Sequence, residues 1–354
     1  MARSLLALVI IFSGFGAVLW RGGEALVSVL RTSTKDDFVN GNTAQRIDKA
    51  VFKAVPRSLA LDGLVAGLQY RFLHDAGSQV YAGCGDWLFS EEELRAAKSD
   101  SSRLQLRADL LARLVQSVAS TGVKLIILPV PDKAAQVEDE LCGVRAAQSR
   151  LRDAFRSKLA DVKPATLVDI RQSWPTPGYW RTDTHWNQIG ARFAAGKAAS
   201  AINGLLGPGS DQVRLIEGQP RQRIGDLARL AGLVDAPVIL APPVEHELET
   251  RTEITRSGGL LDDPDGPSII LAGSSFSLNS NFRNYLEAAS SREVVQVSEA
   301  GGGFAGALLR LLDTNRQALT KAKVVIWEWP MRTLTAPLTK EEQRFLNTSR
   351  LAAR

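Results

Sequence analysis

The sequence predicts an α/β fold in which helices cover both faces of a central parallel sheet, preceded by an N-terminal membrane anchor helix. Three observations carry this expectation. Amphipathic helical stretches alternate with short apolar stretches over most of the chain, the rhythm of repeated strand-helix units. The stretch KLIILPVPDK, residues 124–133, is continuously apolar rather than alternating, as a strand covered on both faces is. Finally, the residues from Ser4 to Trp20 carry no charge and lie between Arg3 and Arg21.

Bulk composition narrows the function classes. At 354 residues and 45% hydrophobic, the chain holds enough apolar material for one large or two ordinary domains with a sizeable core. Its net charge of +5 arises from 43 basic against 38 acidic residues spread along the chain. No basic block with interleaved aromatics appears, so nucleic acid is not an expected partner. The uncharged segment Ser4–Trp20 would span roughly 25 Å as a helix, slightly short of a hydrocarbon core of about 30 Å. No clear A-x-A site follows it, which favours an uncleaved anchor over a removed signal peptide; the alternative is a buried terminal helix. Export would let Cys84 and Cys142 pair, the alternative being two free thiols. Neither cysteine has metal-ligand spacing, and only His74, His185 and His246 occur, so no metal site is expected.

Taken in order, residues 1–22 form the anchor and residues 23–76 a membrane-proximal helical region. Within the latter, Ala44–Val55 and Leu59–Phe72 place apolar residues at helical intervals, interrupted by Pro56 and Gly63. The main domain is expected over residues 77–335, with a C-terminal tail over 336–354. It begins with VYAGCGDWLF, a strand-and-turn text. The acidic run after Ser90 (Glu91, Glu92, Glu93) has capping-box spacing and reads as a helix start with no further role. Arg103–Thr121 is an amphipathic helix ended by Gly122. A helix over Gln148–Leu159 and a strand over Ala165–Ile170 lead to YWRTDTHWNQIG, residues 179–190, followed by an alanine-rich helix over Ile189–Leu205. Gly207–Pro264 reads as an extended connection with a short helix near Asp226–Leu233, part of which covers the site. Three strands follow, Ser268–Ala272, Glu293–Val297 and Val324–Trp329, with helices over Asn281–Ala289 and Ala305–Leu319 between them.

Two stretches carry chemistry. A carboxylate that accepts from one imidazole nitrogen fixes the tautomer and leaves the other nitrogen as a base, which is what Asp183 and His185 offer. The turn after Ser268–Ala272 supplies hydroxyls at Ser274, Ser275 and Ser277. Singly, His185 reads equally as a satisfied structural residue and the serines as a helix N-cap cluster. Trp180 and Trp186 are either packing residues or a sugar-stacking face. Gly301, Gly303 and Gly306 match G-x-G-x-x-G, with Glu328 about twenty residues on, as in dinucleotide binding. Too little chain follows Gly306 for the rest of such a sheet, and the alternative is that these glycines bring backbone N–H groups to something else.

The segments VYAGCGDWLF, LIILPVPDK, YWRTDTHWN, LAGSSFS and VVIWEWP, in that order, resemble the bacterial polysaccharide O-acetyltransferases of the alginate acetylation type, over roughly Tyr81 to Arg332. The resemblance implies a three-layer α/β/α domain like that of SGNH hydrolases, working without a cofactor on the periplasmic side of the inner membrane. It implies Ser275 as nucleophile, His185 as base and Asp183 as orienting acid, with the Asp and His preceding the Ser in the chain. Oxyanion donors would be the amides of Ser275, Gly302 and Gly303; Trp180, Trp186 and Arg332 are the candidates for substrate contact. The asparagine usual in SGNH enzymes has no counterpart, since Glu328-Trp329-Pro330 stands at its place. The implied partners are a polysaccharide acceptor and a membrane-embedded acetyl-passing protein of the MBOAT type. A hydrolytic esterase on the same residues, or a non-catalytic polysaccharide-binding scaffold, are the alternatives.

Overall fold

In the computed structural model of the chain the described residues are 20–54, 59–95, 100–146, 161–256, 268–314 and 316–352, with Gly14, Gly16, Arg152, Phe155, Lys158 and Leu159 besides. They fall in two compact units, Met1–Leu64 and Val65–Arg354. The first is helical, over residues 20–32, Lys35–Val39 and Asn42–Ala54. Thr34 caps Lys35–Val39 through a capping box with Asp37. Apart from Gly14, Gly16 and residues 20–22, the expected anchor segment 1–22 lies outside the described residues. Among the described residues no helix is long and apolar enough to cross a membrane.

The first strands of the second unit follow a π-helical turn, Gln69–Leu73, and form an antiparallel hairpin, β1 (Val80–Ala82) and β2 (Leu88–Ser90). Cys84 in its turn is disulfide-bonded to Cys142, with Cα atoms 5.5 Å apart, so of the two readings of the cysteines the paired one holds. The bridge joins residues 58 positions apart in the sequence. Replacing both cysteines by serine is expected to destabilise the unit by about 4 kcal/mol in the chain-entropy treatment, read as a lower denaturant midpoint.

The central sheet starts with β3 (Lys124–Val130) and β4 (Thr166–Leu167), the latter much shorter than the expected strand over residues 165–170. A long ribbon of β5 (Gln212–Arg223) and β6 (Glu245–Thr255) interrupts the sheet in sequence. The sheet is completed by β7 (Ile269–Ala272), β8 (Val294–Gln296) and β9 (Val324–Pro330). Its order is β4-β3-β9-β7-β8, all parallel, with β9 central. Every residue of β7 and β9 is buried, which is why these strands read as apolar runs.

Alternate side chains of the sheet enter two cores. Ile126, Leu128, Ile269, Leu271 and Ile326 pack on one face against the helices Gln188–Leu206 and Phe282–Ser290. Leu125, Ile127, Ile270, Val325 and Trp327 pack on the other against Asp100–Ala119 and Gly306–Asp313. The architecture is thus the three-layer α/β/α arrangement with a central parallel sheet.

Three details differ from expectation. The stretch 207–264, expected as an irregular connection around one short helix, contains the β5–β6 ribbon. Only the helix Asp226–Leu230 and a 3-10 turn at Leu233–Asp235 match that expectation. The ribbon is solvated on most of both faces and held by cross-strand ion pairs, Arg214–Glu253 at 2.9 Å and Arg221–Glu249 at 2.7 Å, so it lacks an apolar pattern. The single helix expected over Ala305–Leu319 is two, Gly306–Asp313 and Arg316–Lys321. The stretch expected as a C-terminal tail forms the helix Lys340–Ala352, whose Glu342 pairs with Arg107 at 2.6 Å, both side chains fully buried. The helix expected over Gln148–Leu159 lies mostly outside the described residues.

Candidate active site

The crevice beyond the carboxyl ends of the strands is where open α/β sheets place ligands, and the two chemistry-bearing stretches meet there. Strand β7 ends at Ala272, and the chain turns through Gly273 and Ser274 into the single helical turn Ser275–Leu278. Gly273 is required: a Cβ there would collide with the Ser277 side chain and lie 2.8 Å from Glu328 Oε2. Ser274 caps the turn, its hydroxyl accepting from Phe276 N–H at 3.1 Å.

The Asp-x-His loop is fixed from several sides. Tyr179 and Trp186 pair across it as an isolated bridge. Lys133, fully buried, donates from Nζ to the carbonyls of Leu88, Arg181 and Asp183 at 2.6, 2.8 and 2.9 Å. Glu245 of β6 accepts from the amides of Arg181 and Thr182 at 2.9 and 3.0 Å. Asn187 then caps the following helix through the amides of Ile189 and Gly190.

These supports place Asp183 Oδ1 2.6 Å from His185 Nδ1 and His185 Nε2 2.8 Å from Ser275 Oγ. Asp183 also accepts His185 N–H at 2.9 Å, and its second oxygen accepts from Arg223 at 2.9 Å and from Asp226 N–H at 3.3 Å. Burial works against the Asp183 charge, but the His185 ring and amide and the Arg223 guanidinium hold its carboxyl well below the usual carboxylate range. The carboxylate is therefore ionised and directed at Nδ1, which leaves Nε2 to accept a proton from Ser275. The cleft above has a volume of about 740 Å³ and includes Asp183, His185 and Ser275 in its wall. Charged and amide side chains dominate the rest, among them Arg221, Arg229, Glu249, Asn281 and Gln296.

Among the described residues, Asp183, His185 and Asp226 group metal-type donor atoms within 4.8 Å. They fit a metal poorly, because Arg223 already neutralises Asp183 and Asp226 accepts from Thr184 N–H and Oγ at 2.7 and 2.5 Å.

Of the residues singled out from sequence, the structure brings together Ser275, His185 and Asp183. The two glycines expected beside them lie elsewhere. Gly301 and Gly302 line a separate cleft of about 1090 Å³, Gly302 N–H turns back onto the Glu299 carbonyl at 3.4 Å, and Gly303 faces Thr339 and Glu342. Ala300 is the residue of that loop on the serine cleft. Neither indole is a sugar platform. Trp186 is fully buried, stacked on Phe282 with its N–H on the Phe276 carbonyl. Trp180 is buried, donates to Ser280 Oγ at 3.0 Å and has its face covered by Arg223. Arg332 is absent from the cleft wall and lies over the Phe276 ring, 3.7 Å from Glu93.

Arg223 and Asp226 have no role in the sequence reading, and Glu328 has only its place at the strand end. Arg223 bridges Asp183 to Glu247 at 2.7 Å and comes from the end of the unread ribbon. Glu328 accepts from both serines that surround the candidate nucleophile. Its signal was a lone acid in the otherwise apolar VVIWEWP.

Glu93 also departs from its expected role as a solvated helix-start acid. It is buried, accepts from Ala134 N–H at 2.9 Å, and is pushed up to about 7 by burial and by Asp132, against Arg332. A carboxyl whose folded value lies above its unfolded one takes up a proton on folding, so stability falls as pH rises through the window from 4.5 to about 7. Glu93→Gln is expected to flatten that fall, with a gain of up to about 3 kcal/mol above the window, measured by denaturant titration across it.

Residues 80–331 match the family described as "SGNH hydrolase-like domain, acetyltransferase AlgX". The chain is 27% identical to a Pseudomonas aeruginosa protein named "Probable alginate O-acetylase AlgJ", over 93% of this chain and 89% of that one. A Pseudomonas syringae protein of the same name is 29% identical over 95% and 90%. The solved O-acetyltransferase domain of Pseudomonas putida AlgJ superposes with a TM-score of 0.66 at 23% identity, covering 77% of this chain and all of that one, a likeness of fold. Sheet order and matched span agree in placing the same region, and the chain belongs to the AlgX family of SGNH hydrolase-like acetyltransferase domains.

Proposed function

We propose that the chain moves acetyl groups through Ser275 onto hydroxyls of an exported polysaccharide, as the alginate O-acetylase names of its relatives suggest. The observation that carries this is the unbroken relay from Asp183 through His185 to Ser275 Oγ, opening into a cleft of sugar-accommodating size.

Ser275 Oγ attacks the carbonyl carbon of an acetyl donor while His185 Nε2 takes its proton. The Ser275 N–H, which has no acceptor among the described hydrogen bonds, is the amide left to donate to the developing oxyanion. The donor's leaving group departs with the proton from His185, and an acetyl-serine remains. A sugar hydroxyl then loses its proton to His185 and attacks the acetyl carbon. Collapse of that second intermediate releases the O-acetylated sugar, and the proton returns to Ser275. The hydrogen-bonding side chains of the cleft, Gln222, Asn281, Asn284 and Gln296, suit an acceptor rich in hydroxyls.

In this reading the uncharged segment Ser4–Trp20 holds the domain at the periplasmic face of the inner membrane. A membrane-embedded protein of the MBOAT type delivers the acetyl group there. The test is to give the full chain an activated acetyl ester with and without an uronate polysaccharide. Polymer-bound acetyl should then be quantified by NMR against free acetate. Acetyl transfer to the polymer at the expense of acetate supports the reading, and acetate alone in both arms makes the enzyme an esterase.

A further inference from the structure

The turn that carries Ser275 rests on a group that the relay does not use. Glu328 lies in the central strand β9 with 1% of its surface exposed. Burial pushes its carboxyl above the usual carboxylate range, opposed by hydrogen bonds from Ser277 and Ser274, and carboxyl oxygens left unpaired there would be costly. All the hydrogen bonds described for it come from one turn. Oε1 accepts from Ser274 Oγ at 2.8 Å, and Oε2 accepts from Ser274 N–H, Ser277 N–H and Ser277 Oγ at 2.8, 3.1 and 2.6 Å. No ion pair reaches it among the described residues.

The consequence lies in which amides are occupied. Glu328 takes those of Ser274 and Ser277. Phe276 N–H goes to Ser274 Oγ, whose own proton is donated to Glu328. Of the four amides from Ser274 to Ser277, only that of Ser275 is left without an acceptor among the described hydrogen bonds. The strand register explains the reach: Ala272 of β7 sits beside Trp327 of β9, so Glu328 stands level with Gly273, under the start of the turn.

We infer that Glu328 is a positioning residue for acetyl transfer, whose carboxyl oxygens clamp Ser274 and Ser277 so that Ser275 Oγ meets His185 and the Ser275 N–H remains the turn's free oxyanion donor. The inference rests on Ser275 being the nucleophile, as proposed above. It adds a function for the acid that stands where SGNH enzymes are expected to carry an asparagine.

The test uses the full chain with para-nitrophenyl acetate as donor and phenylmethanesulfonyl fluoride as a probe of Ser275 reactivity. Thermal unfolding is followed on each variant. Glu328→Leu removes every acceptor and is expected to lower kcat about 100-fold or more at unchanged KM, with sulfonylation slowed in parallel. Glu328→Gln keeps a carbonyl oxygen where three donors converge, and Ser274 Oγ can reverse to accept from the amide. It should therefore restore kcat to within about tenfold of the parent. Ser274→Ala, which leaves Glu328 in place, is expected to lower kcat about tenfold at unchanged KM and near-parent unfolding temperature. A folded Glu328→Leu protein with parental kcat and sulfonylation rate overturns the inference. If that variant does not fold, parental kcat in Ser274→Ala overturns it instead. Ser275→Ala run alongside separates the two readings: full acetyl release from that variant defeats the nucleophile assignment itself, whatever Glu328 does.

Discussion

Ser275→Ala is expected to lower turnover of an activated acetyl ester by about five to six orders of magnitude, to the level left by binding and the remaining donors alone. The size follows from the geometry. Ser275 Oγ lies 2.8 Å from His185 Nε2, and no second hydroxyl stands in its place among the described residues. Ser274 Oγ and Ser277 Oγ are both committed to Glu328, at 2.8 and 2.6 Å. Neither can approach the base without leaving a buried carboxylate under-paired, so the neighbouring serines offer no rescue. The unfolding midpoint should scarcely move, because Ser275 Oγ holds no other hydrogen bond among those described. The measurement is steady-state acetate release at saturating ester, on protein whose fold is checked by circular dichroism.

Asp183→Asn is expected to lower kcat by about 10⁴ with KM little changed. Each oxygen of Asp183 faces donors: His185 Nδ1 and N–H on one side, Arg223 and Asp226 N–H on the other. An asparagine amide must put its own N–H₂ against one of these sets. If it faces His185, the wrong ring nitrogen carries the proton and Nε2 cannot act as base. If it faces Arg223, a half-buried guanidinium loses a partner and the charge that steadies the imidazolium is gone. The stability consequence has a definite sign. Asp183 has a depressed folded value, so its contribution is present above the unfolded carboxylate range and is lost as pH falls through that range and below. The variant should lack that part of the acid destabilisation. Asp226 is the control: its Oδ2 is 3.6 Å from His185 Nδ1 but is held by Thr184, so Asp226→Asn is expected to cost far less.

How much of this could be read from the chain depended on the kind of constraint. Strands buried on both faces must be apolar throughout, so KLIILPV and VVIWEWP announced themselves. The Asp-x-His and serine stretches were legible because the chemistry demands those residue types, and the α/β alternation places such stretches at strand ends. The β5–β6 ribbon was not legible. Its stability comes from pairing between strands more than twenty residues apart and from ion pairs such as Arg223–Glu247, neither of which leaves a local apolar period. The role of Arg223 was lost with it. The tryptophans stayed open for another reason, since an indole suits a core and a sugar face equally; burial of Trp186 beneath Phe276 and Phe282 favours packing. The glycine loop followed the expected strand, but positive φ at Gly301 and Gly303 turns the chain towards Thr339 and Glu342. Glu328 depended on the β7–β9 register, which no reading of either strand alone supplies.

The central claim is that acetyl transfer passes through a covalent acetyl-serine at Ser275. It is tested most directly by mixing the full chain with an activated acetyl ester in the absence of any acceptor, quenching in acid, and reading intact mass and peptide map. One acetyl group per chain, located on Ser275, missing from Ser275→Ala and lost on adding polysaccharide, is the predicted result. An acetyl group on another residue, or its retention in Ser275→Ala, would contradict the account.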